Sequence, residues 1–472
     1  MRKRTYTPVP PDTDPKVLGL FTRNRAFYKM FFPLLLVITL QQLAALAVNM
    51  ADNLMLGRYT ELALSGATLV NQIQFVLMMV ASAIGAGIVV LASQYWGQRR
   101  IGPIKKIINI GVKSGLLVGL VFFAAAQLFP VTLLSLFTND RTVIAEGVRY
   151  LHVICWTYPV YVLSNSLMYS LQAVETAMIG TIMSVSTICI NICLNYCLIY
   201  GNLGCPELGI VGAAVATLVS RLVELVIILV YVLKVDKKLR MKWADLLPFD
   251  LTYLRDYLKV AFPIALSGLL WGIAQAAQTA VLGHISATVI AASSIASIIA
   301  QIFGVVGITS ANAASVVTGK TIGAGRLDLV RSYTKTMQGI FLIIGLVFGG
   351  AMFLLKDFIV GFYTVSTETK ALALQFLTVL SVSTVGSCYE YPLEGGIIAG
   401  GGSTEYVAWM DNLFMWLFTI PTAVLSAFVF HWPPVVTFCF LKSDQILKCI
   451  PNGIVCNRYR WVRILTREDN GR

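Results

Sequence analysis

The sequence predicts an all-α polytopic membrane protein of about twelve transmembrane helices, arranged as two six-helix parallel repeats around a central cleft. Three observations carry that fold class. Apolar runs of 18 residues or more recur along nearly the whole chain, each long enough to cross a hydrocarbon core. Hydrophobic residues make up 57% of the 472 and charged residues only 12%, against about 25% charge in ordinary globular domains. A set of landmarks also returns once, 226 residues later.

In chain order, the helices are expected over 27–56, 62–94, 104–130, 143–170, 176–201, 208–233, 251–283, 288–317, 331–355, 369–396, 404–430 and 434–450. Ahead of them lies an arm, residues 1–26, that carries Met1-Arg-Lys-Arg and Pro8, Pro10, Pro11 and Pro15. It reads as a cytoplasmic tail, because the apolar run behind it is too long for the h-region of a signal peptide. The N-lobe spans 27–233 and a charge-rich linker 234–250. The C-lobe spans 251–456, and a basic tail 457–472 closes the chain. The last helix is the most interrupted, with Lys442, Asp444, Lys448 and Pro451 crowding it.

The net charge of +13 is unevenly placed. Of 36 Lys and Arg, thirty fall in segments on the side of the N-terminus and five on the other; Arg221 lies within the sixth helix. That is the positive-inside pattern, which expects both termini and the linker in the cytoplasm of a bacterial cell. The basicity therefore reflects topology and gives no footprint for nucleic acid; the expected partners are the lipid bilayer and small molecules, and the chain is expected to be a monomer.

The repeat pairs Leu133-Leu-Ser-Leu-Phe-Thr138 with Ile359-Val-Gly-Phe-Tyr-Thr364, and Tyr150-Leu-His-Val153 with Phe376-Leu-Thr-Val379. The same offset pairs Gly57 with Gly283, Gly97 with Gly323 and Ala173 with Ala399. Pro33 and Pro263 open the first helix of each half, about one helical turn out of step. Each half has an even number of helices, so the two repeats run parallel, with substrate expected near their interface.

Within this apolar frame the polar residues are few. No charge occurs from Met30 to Met50, and then Asp52 appears with more apolar sequence behind it. An ionisable group at mid-bilayer costs at least about 2.5–3.5 kcal/mol and so faces a cavity or a partner. Asp52 is the candidate ion-coupling carboxylate; the alternative is a place near the headgroups at the outer end of the helix. Its counterpart in the second half is Gln278, which makes the lobes chemically unequal. Asn191 and Asn195 share one face of the fifth helix, opposite to Cys189, Cys193 and Cys197. With Thr217 of the sixth helix they supply oxygens suited to Na⁺ or to a protonatable carboxylate, or else simple interhelical hydrogen bonds.

Arg221 and Glu224, three apart, can pair, and Arg221 is expected to be the only basic residue well inside the membrane. Glu390 and Glu394 share a face of the tenth helix, with Asp411 early in the eleventh. These three could attract a cationic substrate if they face a cavity, and Gln278 joins them as a possible cleft residue. The nine cysteines form no CxxC pair and read as packing residues, not metal ligands. Thr318-Gly319-Lys320-Thr321 imitates the end of a Walker A loop, but its first glycine is replaced by Ala314. Gly400-Gly401-Gly402 reads as a tight connection. No triad forms around His152, His284 and His431, so no enzyme and no cofactor is expected.

From about Phe31 to Thr466 the chain resembles the multidrug and toxic-compound extrusion (MATE) family. The resemblance rests on Ala51-Asp-Asn-Leu-Met-Leu-Gly57, Gln94-Tyr-Trp-Gly-Gln98, Asn191-Ile-Cys-Leu-Asn195 and Gly209-Ile-Val-Gly-Ala-Ala-Val-Ala-Thr217. It continues through Gly319-Lys-Thr-Ile-Gly-Ala-Gly325, expected to follow the eighth helix, and from Asp411 through Trp416 to Pro421. It implies efflux of drugs or organic cations driven by inward Na⁺ or H⁺, with the cation site at Asp52, Asn191, Asn195 and Thr217. Two features depart from the family pattern. Ser267-Gly-Leu-Leu-Trp271 stands where many relatives carry an acidic residue, and Ala399-Gly-Gly-Gly-Ser-Thr404 lacks the Arg and Asp often found there. The rival within the same broad superfamily is a lipid-linked oligosaccharide flippase, whose cleft would be lined with basic residues; a channel or receptor fits the unequal repeat less well.

Overall fold

The computed structural model describes residues 21–138, 140–176, 178–246, 250–363 and 365–467. The first twenty residues of the expected arm, 247–249 of the linker, Thr364 of the repeat and the last five residues of the tail lie outside that set. All regular structure among the described residues is helical. The helices are α1 (Arg25–Tyr59), α2 (Glu61–Gly97), α3 (Ile101–Leu128), α4 (Pro130–Ser135), α5 (Arg141–Ile154) and α6 (Thr157–Ala173). Next come α7 (Met178–Tyr200), α8 (Ile210–Val230), α9 (Leu251–Ile285), α10 (Ala287–Gly323), α11 (Leu327–Gly361) and α12 (Thr367–Tyr391). Last are α13 (Thr404–Phe414), α14 (Ile420–Val424), α15 (Pro434–Leu441), α16 (Asp444–Leu447) and α17 (Cys449–Arg458). Wide π turns prolong α8 (Tyr231–Val235) and α12 (Pro392–Ile398), and two more, Met415–Thr419 and Leu425–Val429, carry α13 on through α14. Pro392 opens the second of these turns, as a residue without an N–H disturbs the regular ladder there.

Ten of these spans are long and apolar enough to cross a membrane. The expected fourth and twelfth are built of pieces. The expected 143–170 helix divides into α5 and α6 because Pro159 stands in the first turn of α6. Its missing N–H cannot reach back to Cys155, so the ladder breaks at Cys155–Trp156. The twelfth divides into α15, α16 and α17 and runs to Arg458, past the expected end at 450. Pro451 is no obstacle in the first turn of α17, where an absent N–H leaves nothing unpaired. The stretch from Gly319, expected to follow the eighth helix, lies inside α10 as far as Gly323.

The repeat is visible in the helix starts. Arg25 and Leu251, Glu61 and Ala287, Ile101 and Leu327, Arg141 and Thr367, and Met178 and Thr404 each begin helices 226 residues apart. The caps repeat as well. Thr60 Oγ1 accepts from the Ala63 N–H and Ser286 Oγ from that of Val289. Asp140 accepts from the N–H groups of Thr142 and Val143, and Ser366 Oγ from that of Thr369. Each cap supplies an oxygen to donors that the first turn cannot pair internally. The same register puts Arg99 after α2 and Gly325 after α10, both left-handed, at φ 58° and 71°.

The chain falls into two compact units. One holds Leu35 and the described residues before it, Ser93–Arg100, and the described residues from Phe262 onward; the other holds Leu36–Ala92 and the described residues of Ile101–Ala261. The change of unit at Leu36 in α1 and at Phe262 in α9 falls close to Pro33 and Pro263. In the second unit the core joins Leu56, Val70 and Leu77 to Tyr150, Tyr158 and Ile210. In the first unit Leu282, Ile299, Phe376 and Phe438 pack together, the two Phe rings stacked at 4.2 Å. The linker is pinned by Lys105 to Asp245 at 2.7 Å and by Lys106 to Asp250 at 3.1 Å. The hydrogen bond from Lys105 holds the Asp245 carboxyl below the usual carboxylate range.

Two features of the first unit fasten the end of α2. Gly97 and Gly323 lie where α2 and α10 meet: a Cβ on Gly323 would fall on the Gln94 carbonyl, and one on Gly97 on that of Lys320. The residues after α17 form an extended strap along the same end. Gln94 Nε2 donates to Arg463 O and its Oε1 accepts from the Leu465 N–H, Gln98 donates to Thr466 Oγ1, and Arg100 donates to Arg467 O. On the other side Arg463 N donates to Gly401 O, and Ser403 donates to Trp461 O. Gly402, at φ 98°, turns the chain between them. The Gly400–Gly402 stretch is thus the close-packed connection expected of it. Gln94→Leu is expected to lower thermal stability, by about 1–3 kcal/mol for each backbone group left without its partner. A melting curve in detergent equal to wild type would show that Gln94 does not anchor the strap.

Candidate functional site

In the second unit, three helices bring the four expected coupling residues together. α1 carries Asp52 and α7 carries Asn191 and Asn195, one turn apart and both fully buried. Cys189 and Cys193 are exposed on the opposite face of α7, as the helical period requires. α8 carries Thr217 just after Gly212, whose missing side chain lets α8 approach the Leu198 carbonyl at the end of α7. Small residues that allow such an approach are the usual device for packing helices in lipid, where no hydrophobic force drives association.

The polar groups form one connected chain. Asn195 Nδ2 donates to Asp52 Oδ1 at 2.5 Å and to Asn191 Oδ1 at 3.1 Å. Asn191 Nδ2 in turn donates to Thr217 Oγ1 at 3.3 Å. Asn195 Oδ1 is buried with no hydrogen-bond partner. Asp52, Asn191 and Thr217 line a cavity whose wall also includes Asn71, Gln74 and Arg221. The cavity measures about 20 Å³, enough for a water molecule or a bare ion and far short of a drug. Asp52 is therefore the acceptor at the end of a buried amide chain. Arg221 pairs with Glu224 at 2.7 Å, as their spacing expects, and its guanidinium stacks over the Tyr161 ring at 5.1 Å.

The cavity wall also holds residues the sequence reading passed over, Asn71 and Gln74 of α2 among them. Their signal was present: Asn71 and Gln74, three apart in a largely apolar helix, share a face.

The first unit gathers the other expected residues. Gln278, the counterpart of Asp52, is buried; it accepts from Lys442 Nζ at 3.0 Å and donates to Met415 Sδ. Glu390, Glu394 and Asp411 do converge, but the cation they face is Lys448 of the twelfth span, 2.7 Å from Asp411 and 3.1 Å from Glu390. Ser267, at the position where an acidic residue is common in the family, donates to Asp411. Arg221 is thus not the only basic side chain packed inside the helices. Lys442 and Lys448 are two more, and the charges that looked like interruptions of the last helix are the partners of buried groups.

Residues 38–197 and 263–425 match the family described as MatE. A protein of Listeria innocua named as a probable multidrug resistance protein NorM is 22% identical over 400 residues, 84% of this chain and 87% of that one. Among solved structures, the Vibrio cholerae MATE transporter VcmN in its bent form matches with a TM-score of 0.83 at 17% identity, over 92% of this chain and 97% of that one. A MOP superfamily transporter of Pyrococcus furiosus, described as having a binding pocket of reversed polarity and a different function, matches with a TM-score of 0.84 at 18% identity. The match covers 92% of this chain and 96% of that one.

Proposed function

The chain belongs to the MatE family, and from that premise we propose that it is a secondary active transporter that exports organic, cationic compounds in exchange for Na⁺ or H⁺. The observation that carries the reading is the Asp52 carboxylate at the end of the Asn195–Asn191–Thr217 chain, on the wall of an ion-sized polar cavity. A carboxylate in that position alternates between charged and neutralised. Occupied by the coupling ion it no longer carries an uncompensated charge, and the protein can turn the site from one side of the membrane to the other. Empty, it holds the charge that draws the next ion in. The amides of Asn191 and Asn195 keep the carboxylate oriented in both conditions, and Asn195 Oδ1 offers a free oxygen beside it.

The named activity of the Listeria relative, multidrug resistance, agrees with efflux as the direction. The one-sided distribution of Lys and Arg favours a cytoplasmic location for both termini and the linker, in the bacterial cytoplasmic membrane. The unit of function in this reading is the monomer.

The test is transport by purified protein in vesicles, with a fluorescent organic cation as substrate and the Na⁺ and H⁺ gradients imposed one at a time. Uphill movement under one of them is expected. Flux that only runs downhill, indifferent to both gradients, would overturn the proposal.

A further inference from the structure

In the first unit, well away in sequence from Asp52, lies a second buried cluster. Lys448 Nζ stands 2.7 Å from Asp411 Oδ1, 3.1 Å from Glu390 Oε1, 3.8 Å from Asp444 Oδ2 and 4.0 Å from Glu394 Oε2. Glu390 and Glu394 are 2% exposed and Lys448 and Asp444 6%. Asn452, fully buried, donates to Glu394 Oε2 at 3.0 Å and to Glu390 Oε1 at 3.4 Å. Four carboxylates therefore surround one ammonium. Glu394 Oε1 is left buried with no hydrogen-bond partner. A second lysine of this span, Lys442, is directed to Gln278.

An array so rich in acceptors and so poor in donors is built for a cation. One oxygen each from Glu390, Glu394 and Asp411 lies within 4.8 Å of the others. Oxygens bound to Ca²⁺ at about 2.3–2.6 Å stand up to about 5 Å apart across the ion, whereas the shorter bonds to Mg²⁺, about 2.0–2.1 Å, demand a tighter cage. All the donors are oxygens, which selects a hard ion. The Lys448 ammonium stands among these carboxylates, within 4.0 Å of an oxygen of each.

We infer that Lys448 is the resident cation of a carboxylate cage, tethered to the chain, and that the cage without it binds a hard inorganic cation of about calcium's size. The inference goes beyond the transport reading and does not depend on it. In the native protein the tether keeps inorganic ions out of this half, so ion coupling is left to the site at Asp52.

The test is the thermal stability of the full-length protein, purified in detergent, in choline chloride with EDTA and then with CaCl₂, NaCl or MgCl₂. Wild type is expected to melt at the same temperature with CaCl₂ or MgCl₂ as without metal, and a rise in NaCl that is equal in wild type and variant belongs to the site at Asp52. Lys448→Ala should melt roughly 5 °C lower or more without metal, because buried carboxylates lose their counter-charge. CaCl₂ should restore it, MgCl₂ should do so far less, and adding Glu394→Gln should weaken the response to calcium. If Lys448→Ala does not yield folded protein, the triple variant Lys448→Ala/Glu390→Gln/Glu394→Gln, in which two carboxylates go with the ammonium, should. The inference fails if Lys448→Ala is as stable as wild type and indifferent to every ion. It also fails if calcium protects the variant equally with and without Glu394, or if the charge-reduced variant is no better than Lys448→Ala.

Discussion

Asp52→Asn is expected to fold, to insert and to bind substrate, and to lose all uphill transport. Asparagine matches aspartate in size, and its Oδ1 can still accept from Asn195 Nδ2, so the buried amide chain to Asn191 and Thr217 keeps its partners. What it lacks is a charge that an ion can neutralise. For one-for-one exchange, a tenfold ion gradient supplies about 1.4 kcal/mol and sustains about a tenfold substrate ratio. Vesicles with the wild-type protein should approach that ratio, and those with Asp52→Asn should stay near unity. Binding of the same fluorescent cation, measured without a gradient, separates lost coupling from lost substrate recognition. A ratio equal to wild type in Asp52→Asn would remove Asp52 from the mechanism and turn attention to Glu390, Glu394 and Asp411 around Lys448.

How far the sequence reveals this molecule depends on how local each signal is. The helices of the repeat are legible because their causes are local: apolar runs, the capping residues Thr60, Asp140, Ser286 and Ser366, and the turns after Gly97 and Gly323. Asp52, Asn191, Asn195 and Thr217 are legible for a related reason. A polar side chain in an apolar helix must have a partner, and few candidates exist. The break at Cys155–Trp156 was equally local, since Pro159 states it, yet the long apolar run around it hides the consequence.

The cluster at Lys448 is different in kind. Lys448 and Asp444 look like obstacles to a helix when read along the chain, and only the fold brings them against Glu390 and Glu394, fifty or more residues away. The strap of Trp461–Arg467 leaves still less trace. It is held largely through backbone groups, and its basic composition suggests a free tail. Only Gln94 and Gln98, polar residues at the end of an apolar helix, hint that something must pair with them.

Gly97 and Gly323 sit between these cases: their equivalence is plain in the sequence, their contact is not. The structure places them against one another's helices, so that each missing side chain makes room for the backbone of the other. Gly323→Ala adds a single Cβ, but that atom would fall on the Gln94 carbonyl, and a backbone group cannot rotate aside. Overpacking usually costs about 1–3 kcal/mol, and a clash with fixed backbone belongs at the upper end or above it. Separating α2 from α10 would also pull Gln94 away from Arg463 and Leu465, adding the loss of the strap. Gly350→Ala in α11 is the matched control, because a Cβ there meets nothing within 4 Å. Alanine is the better helix former by about 1 kcal/mol, so Gly350→Ala should hold or raise the melting temperature. Gly323→Ala and Gly97→Ala should both lower it sharply and reduce the folded fraction on size exclusion in detergent. Equal melting temperatures for Gly323→Ala and Gly350→Ala would mean that α2 and α10 do not meet at these glycines.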